Sequence, residues 1–225
     1  MLCLIALQSS PVVAQSPPPR YSSGWWDVVA IAGGGVIAGA GPLARCAPCN
    51  VDDLPGIDRG VIGWRSGTAR TGSDILVLGV AGGAMLGAVW KISPARARGD
   101  AVVLANALSW TTAATEWIKV AVHRARPALY RSGASDAATH LDNRKSFPSG
   151  HTAVAFAAAT AYATLAMRQH LPHARRTAVL LYAGATLVGT LRVAGGRHFP
   201  SDVLAGAALG AGVGWLTVRL HPTVP

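Results

Sequence analysis

The sequence predicts an all-α protein: a single bundle of about six helices, integral to a membrane, with its active site at the extracytoplasmic helix ends. Three observations carry this. Hydrophobic residues make up 51% of the 225-residue chain and charged residues only 13%, against roughly 25% charged in an average soluble domain. The apolar residues fall in blocks of about seventeen to twenty, the length that crosses a bilayer. No stretch alternates polar and apolar residues as a half-buried strand does.

The formal net charge is +10, carried almost wholly by arginine. On a soluble domain that balance would suggest nucleic acid. Here the arginines sit in short clusters between apolar blocks, which fits cytoplasmic loops, an anionic lipid surface or an anionic substrate. Nucleic acid is therefore not an expected partner, and membrane lipid is.

Taken in order, residues 1–14 read as a signal sequence, with an apolar core at 2–7 and Val12-Val13-Ala14 resembling a cleavage site. Residues 15–23 are a Pro/Ser linker, and 24–220 form one helical domain. The first apolar run, 25–43, opens on paired Trp residues and contains Asp27; it either spans or packs on the bundle. Residues 44–73 read as a polar loop. Within it, Cys46 and Cys49 form a C-x-x-C with no second cysteine pair and no βαβ pattern around it, so a small disulfide is expected. The remaining runs are 75–90, 101–122, 148–167, 178–193 and 203–218. Basic segments at 91–98 and 168–176 separate them.

Positive residues favour the cytoplasmic side of short loops. With 91–98 and 168–176 inside, the segments 119–127, 146–151 and 194–202 all emerge on the opposite face. A cleaved signal would leave residue 15 outside, and a spanning 25–43 would then invert this arrangement; the sequence leaves both readings of the first run open.

Those three segments carry the chemistry. The first supplies Lys119 and Arg126, about two helical turns apart. In the second, a helix is expected to begin at Pro148, which suits a first helical position. That places Ser149, Gly150 and His151 at a helix N-terminus, where free N–H groups and the dipole favour an anion. The third, with the end of the helix before it (192–202), supplies Arg192, His198 and Asp202, the last two four residues apart and within reach of a carboxylate–imidazole contact if the turn folds back. Several cations, a helix N-terminus and two histidines, one with a carboxylate partner, read as phosphoryl transfer. No Asp/Glu/His cluster has metal-ligand spacing, so no metal and no cofactor is expected.

The three segments resemble the type 2 phosphatidic acid phosphatase superfamily, whose signature is K-x6-R-P, then P-S-G-H, then S-R-x5-H-x3-D. Here they read Lys119-x6-Arg126-Pro127, Pro148-Ser149-Gly150-His151 and Arg192-x5-His198-x3-Asp202. The one departure is Leu191, where the family has Ser. The resemblance implies that His198 is the nucleophile of a phosphohistidine intermediate, oriented by Asp202, with His151 as the general acid. It also implies that Lys119, Arg126, Ser149, Gly150 and Arg192 bind the phosphate. The expected substrates are lipid phosphates or diphosphates, such as phosphatidic acid, phosphatidylglycerophosphate or undecaprenyl diphosphate. The expected place is a bacterial cell membrane with the site facing the periplasm. Alternatives within the superfamily are a soluble periplasmic acid phosphatase and a vanadium-dependent haloperoxidase.

Overall fold

The computed structural model describes residues 18–36, 46, 48–90 and 92–224. The expected signal sequence, the Cys3 within it, and the end of the first apolar run lie outside the described residues. A short antiparallel pair, β1 (Arg20–Tyr21) with β2 (Thr223–Val224), brings together the beginning and the end of the described residues. Between them run α1 (Trp25–Val36), α2 (Gly56–Arg59), α3 (Gly67–Val89), α4 (Pro94–Val122), α5 (Ser135–Ala138), α6 (Gly150–Arg168), α7 (Ala174–Ala194) and α8 (Pro200–Leu220). One-turn 3-10 segments occupy Val51–Asp53, Pro127–Tyr130 and Leu141–Arg144.

The bundle is built around α6, which packs against α3, α4, α7 and α8. Its sequence explains that position. Ala153, Ala155, Ala157, Ala158, Ala159 and Ala161 are all fully buried, and small side chains let neighbouring backbones come close. The closest neighbour is α8. A Cβ placed on Gly206, Gly210 or Gly214 would lie 2.5, 1.9 or 2.6 Å from the carbonyl oxygens of Ser149, Ala153 and Ala157, respectively. The two backbones therefore touch along three turns. At the top of this seam the Ser149 N–H donates to the Asp202 carbonyl at 3.0 Å, which locks the two helix starts together.

Three helices, α3, α7 and α8, are long and apolar enough to cross a membrane. Their outward faces expose Leu78, Leu86, Val179, Leu180, Leu187, Leu204 and Trp215, which fits a lipid-facing surface. The α6 run is rich in alanine and shielded by its neighbours, so it needs little hydropathy of its own. The α4 helix carries Arg96, Arg98, Asp100, Glu116 and Lys119 along its length.

Two boundaries differ from those the sequence suggested. The α3 helix starts at Gly67, capped by the Ser66 hydroxyl accepting from the Ala69 N–H at 3.2 Å. Residues 67–73, read as the end of a loop, are its first two turns. The α4 helix starts at Pro94 after an extended Ser93, so residues 94–98 of the basic segment are helical. In both cases polar residues continue the helix beyond the apolar block, where hydropathy gives no signal. Residues read as linker also gain order: Tyr21 is buried against Gly99, and Arg168 lies over its ring.

The bundle has two distinct ends. One holds β1 and β2, the start of α4 and the α6–α7 turn, tied by Gln169 donating to Asp100 and Arg96 donating to Gln169. The α1 helix begins at that end, where Asn106 donates to Asp27, and runs beside α4 as Ser109 donates to the Ile31 carbonyl. Cys49, disulfide-bonded to Cys46, is at the other end, with its N–H on the Leu129 carbonyl.

Candidate active site

At the Cys49 end, the starts of α3 and α6, the end of α4, the end of α7 and the turn that follows it enclose a cavity of about 450 Å³. It is lined by Lys119, Arg126, Gly150, His151, Arg192 and His198, together with Arg70, Asp74, Asp142 and Arg197. Six of the eight residues picked out for catalysis and phosphate binding thus meet at one cavity. Asp202 stands behind His198 and is fully buried. Ser149 does not line the cavity. It is the residue before α6, which begins at Gly150 rather than at Pro148, and its hydroxyl is buried against the Thr152 hydroxyl at 2.9 Å.

His198 sits in the turn between α7 and α8. Gly196 makes this turn possible: its φ is +65°, and a Cβ there would lie 2.0 Å from the Trp64 carbonyl oxygen. A residue with positive φ packed that closely on another backbone is best served by glycine. His198 is 1% exposed, and its Nδ1 lies 3.6 Å from Asp202 Oδ2 with no hydrogen-bond partner. That separation is slightly beyond a hydrogen bond; a movement of a few tenths of an ångström would close it. Burial pushes the imidazole pKa down to about 3, and the neighbouring Asp202 opposes that only partly. The ring is therefore neutral at physiological pH, the state in which a nitrogen lone pair is free to attack.

Asp202 is held by three donors. The Phe199 N–H donates at 2.9 Å, the Ser146 hydroxyl at 2.6 Å and Arg124 Nη1 at 2.7 Å. Arg124 is the centre of a buried network. Its Nη2 donates to Asp58 at 2.6 Å, and Asp58 in turn accepts the Ser201 N–H and hydroxyl. Phe199 lies under the Arg124 guanidinium, 4.5 Å from ring centre to Cζ. Asp58 is fully buried and comes from α2, in the polar loop. The loop thus reaches under the site and fixes the carboxylate that faces His198.

Arg124→Lys is expected to lower kcat about ten- to a hundred-fold with KM little changed. An ammonium cannot bridge Asp58 and Asp202 as a planar guanidinium does, and a misplaced Asp202 loosens His198. Steady-state kinetics with a melting curve in detergent check this. An equal loss of stability with kcat intact would make Arg124 purely structural.

The cations expected to bind phosphate each face a carboxylate. Lys119 pairs with Glu116 at 2.6 Å, Arg126 with Asp142 at 2.7 Å, and Arg192 with Asp74 at 2.8 Å. Asp142 also accepts from Arg197. Burial pushes the Asp142 carboxyl up, but Arg126 and Arg197 outweigh it and hold it below the usual range. Burial and the nearby Arg197 bring Arg126 down to about 10, still cationic at neutral pH. Asp74 also contacts His151 Nε2 at 2.9 Å, so the same carboxylate orients the proposed acid and the α7 arginine. The Nε of Arg192 is buried without a partner, a donor available to an anion in the cavity.

Sequence reasoning missed Asp58, Arg70, Asp74, Arg124, Asp142, Ser146 and Arg197. Only Asp74 carried a usable signal, an acid at the head of an apolar run where charge is costly without a role. Among the described residues, no group of three or more His, Cys, Asp or Glu is placed to hold a metal ion.

A helical bundle that gathers arginines and a helix N-terminus around a neutral, carboxylate-backed histidine defines an anion pocket built for chemistry. Residues 100–225 match the model of the PAP2 superfamily, and the chain belongs to that superfamily. It is 45% identical over 74 residues to a lipid A 1-phosphatase of Porphyromonas gingivalis, covering 32% of this chain and 15% of that one. It is 35% identical over 104 residues to a lipid A 1-phosphatase of Rhizobium etli, covering 45% and 40%. The chain thus spans less than half the length of either relative. A transmembrane PAP2-type phosphatidylglycerolphosphate phosphatase from Bacillus subtilis superposes with a TM-score of 0.49 at 18% identity, covering 87% of this chain and 95% of that one.

Proposed function

We propose that the protein is a membrane phosphatase that hydrolyses a lipid phosphate or lipid diphosphate through a phosphohistidine on His198. The observation that carries this reading is the junction of two spaces. The anion cavity shares Lys119, Gly150 and His151 with an apolar groove of about 300 Å³ between α3 and α4, whose lining includes Val77, Leu78, Ala81, Thr112 and Val154. A phosphate seated among the arginines would leave its lipid tail in that groove. The exposed apolar faces of α3, α7 and α8 count against the soluble alternative.

In the mechanism this supports, His198 Nε2 attacks phosphorus while Nδ1 faces Asp202. The P–O bond to the leaving group breaks, and His151 gives its proton to the departing oxygen, the lipid alkoxide of a monophosphate or the lipid phosphate of a diphosphate. Water then attacks the phosphohistidine, giving up a proton to His151; inorganic phosphate leaves and His198 is restored. Lys119, Arg126, Arg192 and the Gly150 N–H hold the charge that builds on the transferring oxygens. To bind, the phosphate would displace or share the contacts that Asp142 and Asp74 make with the arginines. With the basic α6–α7 turn and start of α4 on the cytoplasmic side, this cavity would face the periplasm.

The test is phosphate release by purified protein across lipid monophosphates, lipid diphosphates and soluble phosphomonoesters. Hydrolysis confined to lipid substrates, and inhibition by vanadate as a phosphate mimic, are expected. Equal turnover of soluble esters, or indifference to millimolar vanadate, would overturn the reading.

A further inference from the structure

Beside the catalytic cavity lies a second cleft of about 510 Å³, and the two share Arg70, Asp142 and Arg197. Arg65 and Arg131 complete its cationic lining. We infer that this cleft is a second anion subsite, which holds a further phosphate or carboxylate of the same substrate while its scissile phosphate faces His198. The inference rests on the phosphatase reading and adds to it the class of head group, one with two separated anionic groups.

The arrangement of the arginines supports this. Arg131 is anchored by its Nε on the Ile62 carbonyl at 3.0 Å and Arg70 by its Nε on the Gly195 carbonyl at 2.8 Å. Each guanidinium is thus fixed in place by one backbone contact, and among the described residues its terminal N–H groups have no partner. Arg65 has no hydrogen bond or ion pair among the described residues. Planar guanidiniums held in this way, with free forks, match the oxygens of phosphate or carboxylate.

Charge balance points the same way. Two carboxylates line the cleft, and Asp142 is already committed to Arg126 and Arg197. Asp136, the other, is exposed on α5 and makes no ion pair among the described residues. Burial first, then the like charges of Arg65 and Arg70, push the Arg131 guanidinium down from its usual range. Holding three cations close together without matching acids is unfavourable until an anion enters. Their convergence is also specified by the backbone, since the contact of Gly196 with the Trp64 carbonyl brings residue 65 beside residue 197. Arg65 and Arg70 precede the residues that match the family, so this half of the cleft is built by the chain's own N-terminal portion.

The experiment compares wild type with Arg65→Ala/Arg131→Ala; neither residue lines the catalytic cavity. Three synthetic lipid monophosphates are used, identical except that a second phosphate, a carboxylate or a neutral group sits beyond the scissile one. Wild type should favour one of the two-anion lipids, and whichever is preferred identifies the anion. The double variant should raise KM for it about ten-fold, the scale of one or two charge-assisted hydrogen bonds, with kcat unchanged. The neutral lipid should be unaffected, and Arg131→Lys should rescue in part. Equal effects on all three lipids, or none, would overturn the subsite. Direct titration of the same lipids keeps the two readings apart. Tighter binding of a two-anion lipid without turnover would leave the subsite and remove the phosphatase reading; turnover without preference would do the reverse.

Discussion

His198→Ala is expected to reduce phosphate release by at least a thousand-fold, about 4 kcal/mol of lost transition-state stabilisation. Phosphate binding, read as vanadate affinity, should change far less, because Lys119, Arg126 and Arg192 remain. The protein should also stay folded: His198 is buried with no hydrogen-bond partner on its Nδ1, so removing it leaves no donor or acceptor stranded. The alanine variant should fail to accumulate an acid-labile phosphoenzyme when quenched with labelled substrate, whereas His151→Ala should still form one slowly. Retained activity in a folded His198→Ala protein would exclude the phosphohistidine and leave His151 as the only histidine lining the cavity among the described residues.

The part of the site that was legible in the sequence is the part that sits at fixed spacings on helix ends. Arg192, His198 and Asp202 are separated by a turn whose length the sequence states, and Gly195-Gly196 marks it. Gly150 and His151 announce a helix start. What was not legible depends on which loops fold back over those ends. Asp58 lies in a loop with no periodicity, and its role appears only because α2 packs under α8 and meets Arg124. Asp142 is one acid among several in a polar loop, and nothing local distinguishes it from its neighbours until Arg126 and Arg197 close on it. The fold shows the same division. The apolar blocks located every long helix, but polar first turns such as 67–73 are silent in a hydropathy reading. Arg70, from that stretch, and Asp74, just after it, both line the cavity. Ser149, a motif position that the family resemblance assigns to the phosphate, has its hydroxyl 2.9 Å from the Thr152 hydroxyl.

Gly210→Ala is expected to have the largest effect of any single methyl group added to the described chain. The new Cβ would lie 1.9 Å from the Ala153 carbonyl oxygen, with the neighbouring Cα at 2.9 Å, and neither is the end of a side chain that could turn aside. The helices α6 and α8 would have to separate, at a cost of about 3 kcal/mol, the upper part of the range for overpacking. The damage would also extend to the site. The same two helices present His151 and Asp202 at their starts, where the Ser149–Asp202 backbone contact and the close approach of Gly206 to the Ser149 carbonyl hold them in register. Activity should therefore fall at temperatures where the variant is still folded. Gly212→Ala supplies the control: it lies on the same helix two residues on, with nothing within 4 Å of its added methyl. Melting curves in detergent should show it unchanged or slightly stabilised, since alanine is the better helix former. If both variants melt alike, the α6–α8 seam is looser than the described contact, and the register of the two helix starts must be set elsewhere, with the Arg124 network beneath Asp202 the strongest alternative tie.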